Sequence, residues 1–503
     1  MLVAPNLSRT VVKNAWANLA RLTGSGIVAL LLSPFLVRAL AKDVFGAWSL
    51  LLQLTLYVTY LDFGIQTAVS RFVAHAEELG DSKQRDGIVS TAFAMLSCAA
   101  LLGCVLVVVL AWQLPNLFRQ MPPALYPAAQ LALLAMGVSF AIGLPVSVIH
   151  ALFIGLQRNE IPAFLAISNK IAMAALVVGV VLKHEGLAAM GIGVAAANLL
   201  SYMGAFAAWR AWAHRVCLRL ASVSRFYARQ LAGYSASVVV WMLAMLLISG
   251  LDLSIVGIFD YKMMAYYAIA ATLSNFVAQA QGAIFSALLP ASAVLGARGD
   301  GERLGRILVV STRYGMLILL SMALPLVVAG YWILRIWAGA DYAQHSTLIL
   351  QVLVIANVVR LCALPYSTLL LGTGQQRKVI ASPLAEGITN LVTSLAGAYL
   401  FGAIGVAIGT LIGAFVSVGL HVFYNMPRTA LIVIDRIRLI KEGLLRPLVC
   451  VAPFGLLLIG GPRDLSGYVL ALTVATVTAV LLFWKFGLLA SERERVAQVL
   501  HLS

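Results

Sequence analysis

The sequence predicts an all-α polytopic membrane protein, and three observations carry that prediction. Of its 503 residues 62% are apolar and only 11% are charged, against about a quarter charged in a soluble protein. Mean hydropathy is +0.96. Apolar runs recur from residue 14 almost to the C-terminal end, which leaves no room for a sizeable soluble catalytic or ligand-binding domain.

A spanning helix needs about 20 mostly apolar residues, and cutting the chain at charges and at Gly or Pro clusters gives about fourteen. They are 14–39, 44–68, 87–111, 124–155, 161–182, 187–209, 231–258, 262–289, 308–337, 344–371, 377–400, 403–425, 447–461 and 467–489. Residues 387–427 carry no charge, a run too long for one crossing, so a turn is placed at Phe401-Gly-Ala-Ile-Gly405. Span 447–461 is short, and Pro453, Gly455 and Gly460-Gly461-Pro462 leave a re-entrant path open. The first apolar run has no A-x-A-like cleavage site and reads as a retained helix.

Charge fixes the expected orientation. The 35 Lys and Arg against 19 Asp and Glu give a net charge of +16, and 24 of the basic residues fall in loops on one face against 7 on the other. By the positive-inside rule both termini are cytoplasmic, and the basic excess needs no nucleic-acid partner. The cysteines Cys98, Cys104, Cys217, Cys362 and Cys450 form no CxxC and no Cys/His ligand spacing, so they read as small buried apolar residues with no metal and no cofactor to hold.

Two local matches suggest an internal duplication. Gly155-x-Gln157-Arg158 matches Gly374-x-Gln376-Arg377, and Asp43-Val-Phe-Gly-Ala47-Trp48 matches Tyr261-Lys-Met-Met-Ala265-Tyr266, at offsets of 219 and 218. A repeat of six spans is even, so both copies enter from the same face, which predicts two similarly oriented six-helix lobes with a cavity between them. The expected organisation is an N-lobe at 1–209, a basic cytoplasmic linker at 210–229 and a C-lobe at 230–427. A basic amphipathic stretch at 428–446 then leads to an extra helix pair and tail at 447–503.

Phe45-Gly-Ala-Trp-Ser49, Leu61-Asp-Phe-Gly64 and Ala68-Val-Ser-Arg-Phe-Val-Ala74 resemble the second span and its cytoplasmic exit in the polysaccharide-exporter branch of the multidrug/oligosaccharidyl-lipid/polysaccharide (MOP) flippase superfamily, typified by O-antigen flippases. The resemblance covers residues 10 to 425. It implies alternating access of two lobes in a bacterial inner membrane. Its cargo would be a polyprenyl-diphosphate-linked oligosaccharide, the repeat unit of an O-antigen, capsule or exopolysaccharide, carried from inner to outer leaflet. It also implies membrane lipids and polysaccharide polymerase or assembly proteins as partners. Fourteen spans are similar to the lipid II flippases of the same superfamily, whose extra pair forms a groove for the lipid tail.

Charges inside spans are costly and mark candidate sites. Arg360 lies near the middle of span 344–371, Lys170 and Glu386 each about nine residues into spans 161–182 and 377–400, and Arg21 and Arg313 one to two turns inside 14–39 and 308–337. Arg21, Lys170, Arg313 and Arg360 suit a diphosphate, because guanidinium forks bind two phosphate oxygens and an ammonium supplies a compact charge. Snorkelling to the interface accounts equally for Arg21 and Arg313, and a buried ion pair, as with Glu386, is the competing account of Arg360. Asp252 and Glu386 are the ion-coupling candidates. Asp62 reads as an anchor near Arg71, and His150 and His421 as hydrogen-bonded interior residues. Pro34, Pro145, Pro325 and Pro365 are bend points or static kinks.

The alternatives differ in what they need. A glycan polymerase or ligase needs a long external loop, and none predicted here exceeds about a dozen residues. A nucleotide-driven pump needs G-x-x-x-x-G-K-[ST], and no lysine here precedes Ser or Thr. A multidrug and toxin antiporter needs acidic residues in its first lobe, whereas residues 14–42 contain no Asp or Glu. Lipid II flipping predicts the same cationic cavity. The reading is a secondary-type flippase, not an enzyme.

Overall fold

The structure, a computed structural model, describes residues 24, 26–286, 288–375, 380–460 and 465–487. Helix is the only regular structure among the described residues. Ten helical stretches there are long and apolar enough to cross a membrane, and α1 (Gly26–Ala39) is a shorter apolar helix. The protein is a multi-pass membrane protein.

Fewer than fourteen stretches meet those limits, for physical reasons: among the described residues α1 is short and α19 (Arg446–Gly460) has only 15 residues. The predicted span 44–68 does meet the length limit as Lys42–Asp62 but ends early: α2 (Lys42–Thr59) and α3 (Ile65–Glu78) are separated by Phe63 and Gly64, both left-handed at φ 49° and 74°. A Cβ at Gly64 would also run into Val238, so glycine is required twice over. The polar residues Ser274, Asn275, Gln279 and Gln281 of α10 (Met264–Phe285), and Ser382, Glu386, Asn390 and Ser394 of α16 (Ala381–Phe401), lower the hydropathy of those helices. The predicted turn after Phe401 falls at Gly402, φ 63°, between α16 and α17 (Ala403–Leu420).

The chain divides into two compact units, one of residues 1–279 and 383–413 and the other of 280–382 and 414–503. They are packing groups, whereas the expected lobes count spans. In the first unit α4 (Ser82–Leu117), α5 (Tyr126–Gly155), α6 (Glu160–Leu182) and α7 (Leu187–Trp212) surround a core that includes Val69, Ile88, Leu96, Val148 and Phe153. The family-like motif is mostly packing: Phe45, Ala47, Trp48, Ala68, Val69 and Val73 are all buried. The basic linker is stitched to α4, with Arg219 N and Ser224 N donating to Ser90 Oγ and Thr91 Oγ1 at 3.1 Å. The two segments matched at an offset of 218 touch, since Tyr261 Oη donates to Asp43 O at 2.9 Å. The same unit holds α8 (Arg225–Met245), a π-helical turn Leu246–Gly250 and α9 (Asp252–Phe259).

In the second unit α11 (Leu288–Ala297), α12 (Gly301–Val328), α13 (Gly330–Trp337), α14 (Ala340–Leu361) and α15 (Leu364–Gly372) form the framework. The basic stretch adds a turn, α18 (Arg436–Arg438), and lies along α12. Val433 N donates to Gly301 O at 3.1 Å, and Ile432 and Leu439 are buried with Leu304, Leu308 and Leu369. Its arginines Arg436 and Arg438 face outward, as an amphipathic interfacial segment requires. The C-terminal pair α19 (Arg446–Gly460) and α20 (Leu465–Leu482) packs through Phe454, Tyr468 and Ala475 onto Val328.

Candidate functional site

The predicted cations occupy different surroundings. Arg21 lies outside the described residues. Lys170 is exposed, yet it lies in line with Ala163 and Val177 one heptad either side, which are buried, while Phe164, Ile171 and Leu182, about 100° round α6, are open. At 100° per residue Lys170 therefore shares the inward face of α6 rather than its lipid face. Beside it Asn169 Nδ2 donates to Asn198 Oδ1 at 3.1 Å, and Asn198 Nδ2 to Ser139 Oγ at 3.0 Å.

Arg313 and Arg360 both belong to the second unit, on the packed helices α12 and α14. Arg313 is 0% exposed, and its guanidinium lies 5.2 Å from the Tyr314 ring centroid. Burying a guanidinium is tolerated only with charge or hydrogen-bond compensation, so this arginine is held deliberately inside its unit. Arg360 is half-buried and donates from Nη1 to Asn357 Oδ1 at 3.4 Å. It is not at the middle of a continuous span: α14 ends at Leu361 and α15 begins at Leu364 with Pro365 in its first turn. The charge thus stands in the last turn of a helix, where the negative end of the macrodipole favours a cation.

The acidic candidates belong to the first unit. Asp252 is 8% exposed and opens α9. Its Oδ2 accepts from Thr410 Oγ1 at 3.2 Å and from Tyr267 Oη at 3.3 Å. Thr410 Oγ1 also faces Val406 O at 3.2 Å, Ser394 Oγ faces Val406 O at 3.2 Å and Asn390 Oδ1 at 2.9 Å. A continuous file of oxygens results: carboxylate, hydroxyl, carbonyl, hydroxyl, amide. Each hydroxyl has one proton and two acceptors before it, so the file is rich in acceptors and suits a proton or a hard monovalent cation. Glu386 is buried one turn before Asn390 on α16, so Glu386, Asn390 and Ser394 form one stripe at i, i+4 and i+8. No group of three or more His, Cys, Asp or Glu side chains among the described residues could hold a metal ion.

The π-helical turn before Asp252 loses regular helical pairing, and the first unit supplies its carbonyls with donors. Asn390 Nδ2 donates to Leu247 O at 3.2 Å and Ile248 O at 2.5 Å, and Gln53 Nε2 and Tyr57 Oη both reach Gly250 O at 2.6 Å. Asn390, Ser394, Val406, Thr410 and Tyr267 did not figure among the sequence candidates. Their signal was the polar stripe at helical spacing within a charge-free run. Asp62 accepts from the Gln66 amide at 3.2 Å instead of pairing with Arg71, whose guanidinium stacks over Tyr234 at 5.0 Å. His421 accompanies Asn425, which donates to Ser382 Oγ at 2.6 Å.

Many apolar crossings with interior charges of both signs define a multi-pass membrane protein. The chain belongs to the polysaccharide biosynthesis protein family, whose profile matches residues 11–295. Its fold is that of the MOP superfamily. The structure is similar to the lipid II flippase MurJ in an inward closed conformation, with a TM-score of 0.71 over 92% of this chain and 96% of that one at 11% identity. It is also similar to an inward-facing multidrug resistance MATE transporter, with a TM-score of 0.68 over 83% and 98% at 13% identity. A MOP superfamily transporter from Pyrococcus furiosus, described by a binding pocket of reverse polarity, gives a TM-score of 0.61 over 83% and 96% at 15% identity. No curated protein matches the sequence.

Proposed function

We propose that the protein flips a polyprenyl-diphosphate-linked oligosaccharide from the inner to the outer leaflet of a bacterial inner membrane. Two six-helix lobes, 1–209 and 230–427, alternate in access, and both termini lie in the cytoplasm. Arg21, Lys170, Arg313 and Arg360 meet the diphosphate during the cycle while the polyprenyl tail stays in lipid. The observation that carries this reading is the complete burial of Arg313 within a span of a polysaccharide biosynthesis family member. A fixed interior cation favours an anionic cargo and disfavours a cationic drug. The acceptor-rich file at Asp252, with Glu386 beside it, takes up the coupling proton or monovalent cation. A polymerase or assembly protein receives the exported unit.

A second reading, lipid II as cargo, is supported by the likeness to MurJ over nearly the whole chain. Proteoliposomes separate the readings. Labelled polyprenyl-diphosphate oligosaccharide and labelled lipid II are presented in parallel, with a cationic dye loaded as control. Translocation of the oligosaccharide lipid without dye efflux is the expected result. Exclusive translocation of lipid II would move the protein to the second reading, and dye efflux alone would sink both.

A further inference from the structure

Within the first unit a cavity of about 240 Å³ opens among α3, α5 and α6. It has room for about eight waters at their share of liquid volume, a space of the size of one sugar ring and not of a chain. Gln66, Thr67 and Ser70 line it from α3, His150 from α5 and Asn159 from the start of α6. Its lining includes no Asp, Glu, Lys or Arg and no Phe, Tyr or Trp. Asn159 occupies the N-cap position of α6, where an asparagine ordinarily accepts from a first-turn amide. Here it makes no such bond, and its Oδ1 is buried without a hydrogen-bond partner.

The chemistry of this lining rules out most occupants. A hydrocarbon tail would strip water from the polar lining and leave Asn159 Oδ1 unsatisfied, at a cost. A cationic drug would find neither carboxylate nor aromatic face. A bare phosphate would meet the amide oxygens of Gln66 and Asn159 and gain no charge partner inside the cavity. Amides, hydroxyls and an imidazole, each able to donate and accept, match a ring of neighbouring hydroxyls.

The position of the cavity supplies the second half of the argument. Asn159, Ala163 and Ala166 line it from α6, and Lys170 continues their stripe at i, i+4, i+7 and i+11. Its Cα stands about 6 Å beyond that of Ala166 along the helix axis, close to the spacing between a sugar ring and the phosphate attached to it.

We propose that the cavity receives the sugar joined directly to the diphosphate, and that Lys170 meets the adjacent phosphate. This subsite rests on the glycolipid reading above and adds to it a measure of which sugar is accepted. Hydrogen-bonding sites reject analogues that lack the matching hydroxyl far more strongly than apolar pockets reject a change in size. The first sugar would therefore be selected in this unit, while the distal sugars are left free.

The test uses the full chain in lipid nanodiscs and two probes, polyprenyl diphosphate carrying one N-acetylhexosamine and bare polyprenyl diphosphate. Ala166→Leu fills the cavity. It should weaken the glycosylated probe by at least ~tenfold and leave the bare probe unchanged. Thr67→Val removes one hydroxyl at an exposed position that carries little folding risk, and it should weaken the glycosylated probe alone by about threefold. Lys170→Ala should weaken both probes alike. Equal losses for both probes in Ala166→Leu, or no discrimination in Thr67→Val, would overturn the sugar assignment while the transport reading stands. If the unaltered protein binds neither probe, the transport reading falls and takes the subsite with it.

Discussion

Asp252 and Glu386, two of the three buried carboxylates among the described residues, belong to the first unit with Asp62 and the ion-paired Arg85, and the arginines Arg313 and Arg360 belong to the second. The two units stabilise their charges differently. Asp252 Oδ2 faces the hydroxyls of Thr410 and Tyr267 at 3.2 and 3.3 Å, and Thr410 shares its single proton with Val406 O, an acceptor-rich setting suited to taking up a positive charge. Arg313 lies against an aromatic face and Arg360 in the last turn of a helix, environments that hold a permanent cation. A carboxylate among acceptors is suited to exchange, and a guanidinium over a ring or at a helix end to constancy. The proposed coupling at Asp252 and the proposed phosphate contacts at Arg313 and Arg360 therefore rest on different kinds of surroundings.

The largest effect expected from breaking this contrast is at the arginines. Arg313→Ala or Arg360→Ala should lower oligosaccharide-lipid translocation in proteoliposomes by at least on the order of 100-fold. That figure is the lower end of what two charge-assisted hydrogen bonds at ~1.5–3 kcal/mol each supply. Arg313→Lys keeps the charge but loses the fork and should recover only part of the rate. Normal translocation by Arg360→Ala at equal protein level would remove that residue from the site.

Asp252→Asn keeps an acceptor beside Thr410 and Tyr267 but removes the charge. Translocation should fall about tenfold and lose its response to an imposed cation or proton gradient, while affinity for polyprenyl diphosphate stays the same. A variant that still follows the gradient would show that Glu386, or another group, does the coupling.

Asn390→Ala leaves the carbonyls of Leu247 and Ile248 without their donor. The expected cost is ~2 kcal/mol, read as a lower thermal midpoint in detergent together with weaker gradient dependence. An unshifted midpoint would mean that water replaces the amide. Arg306→Ala removes only an exposed pair with Glu302 at 3.7 Å and should move the midpoint by no more than about 0.5 kcal/mol in stability. A larger shift there would show that the outer face of α12 has a role that the contrast between units does not predict.

The helices were legible because about 20 apolar residues in a row have few other uses, and the turn at Gly402 followed from length alone. The break at Phe63-Gly64 lay in plain sight inside a motif read as a family signature, since φ above zero at Phe63 is set by packing and not by residue type. Arg360 was placed by counting from one end of a supposedly unbroken helix, and a proline three residues after Cys362 was too weak a cue to shift it. Asp252 was found as a charge, but its partners were hidden because hydropathy averages Asn390, Ser394 and Thr410 into their apolar neighbours. The facing of Lys170 needed the burial of Ala163 and Val177, which depends on what packs against α6. The cavity polar groups, Gln66 to Asn159, come from three helices and share no spacing in the chain.

The turn at Leu246–Gly250 also makes the aim of Asp252 a matter of residue number. In a helix each residue turns the following ones by about 100°, so a π-helical turn behaves as one residue added to the helix. Gln53, Tyr57 and Asn390 clamp that surplus in place. Deleting any single residue between 246 and 250 should turn α9 by about 100° and swing the carboxylate away from Thr410, with every side chain of the oxygen file still present. A one-codon deletion there separates composition from register more cleanly than any substitution.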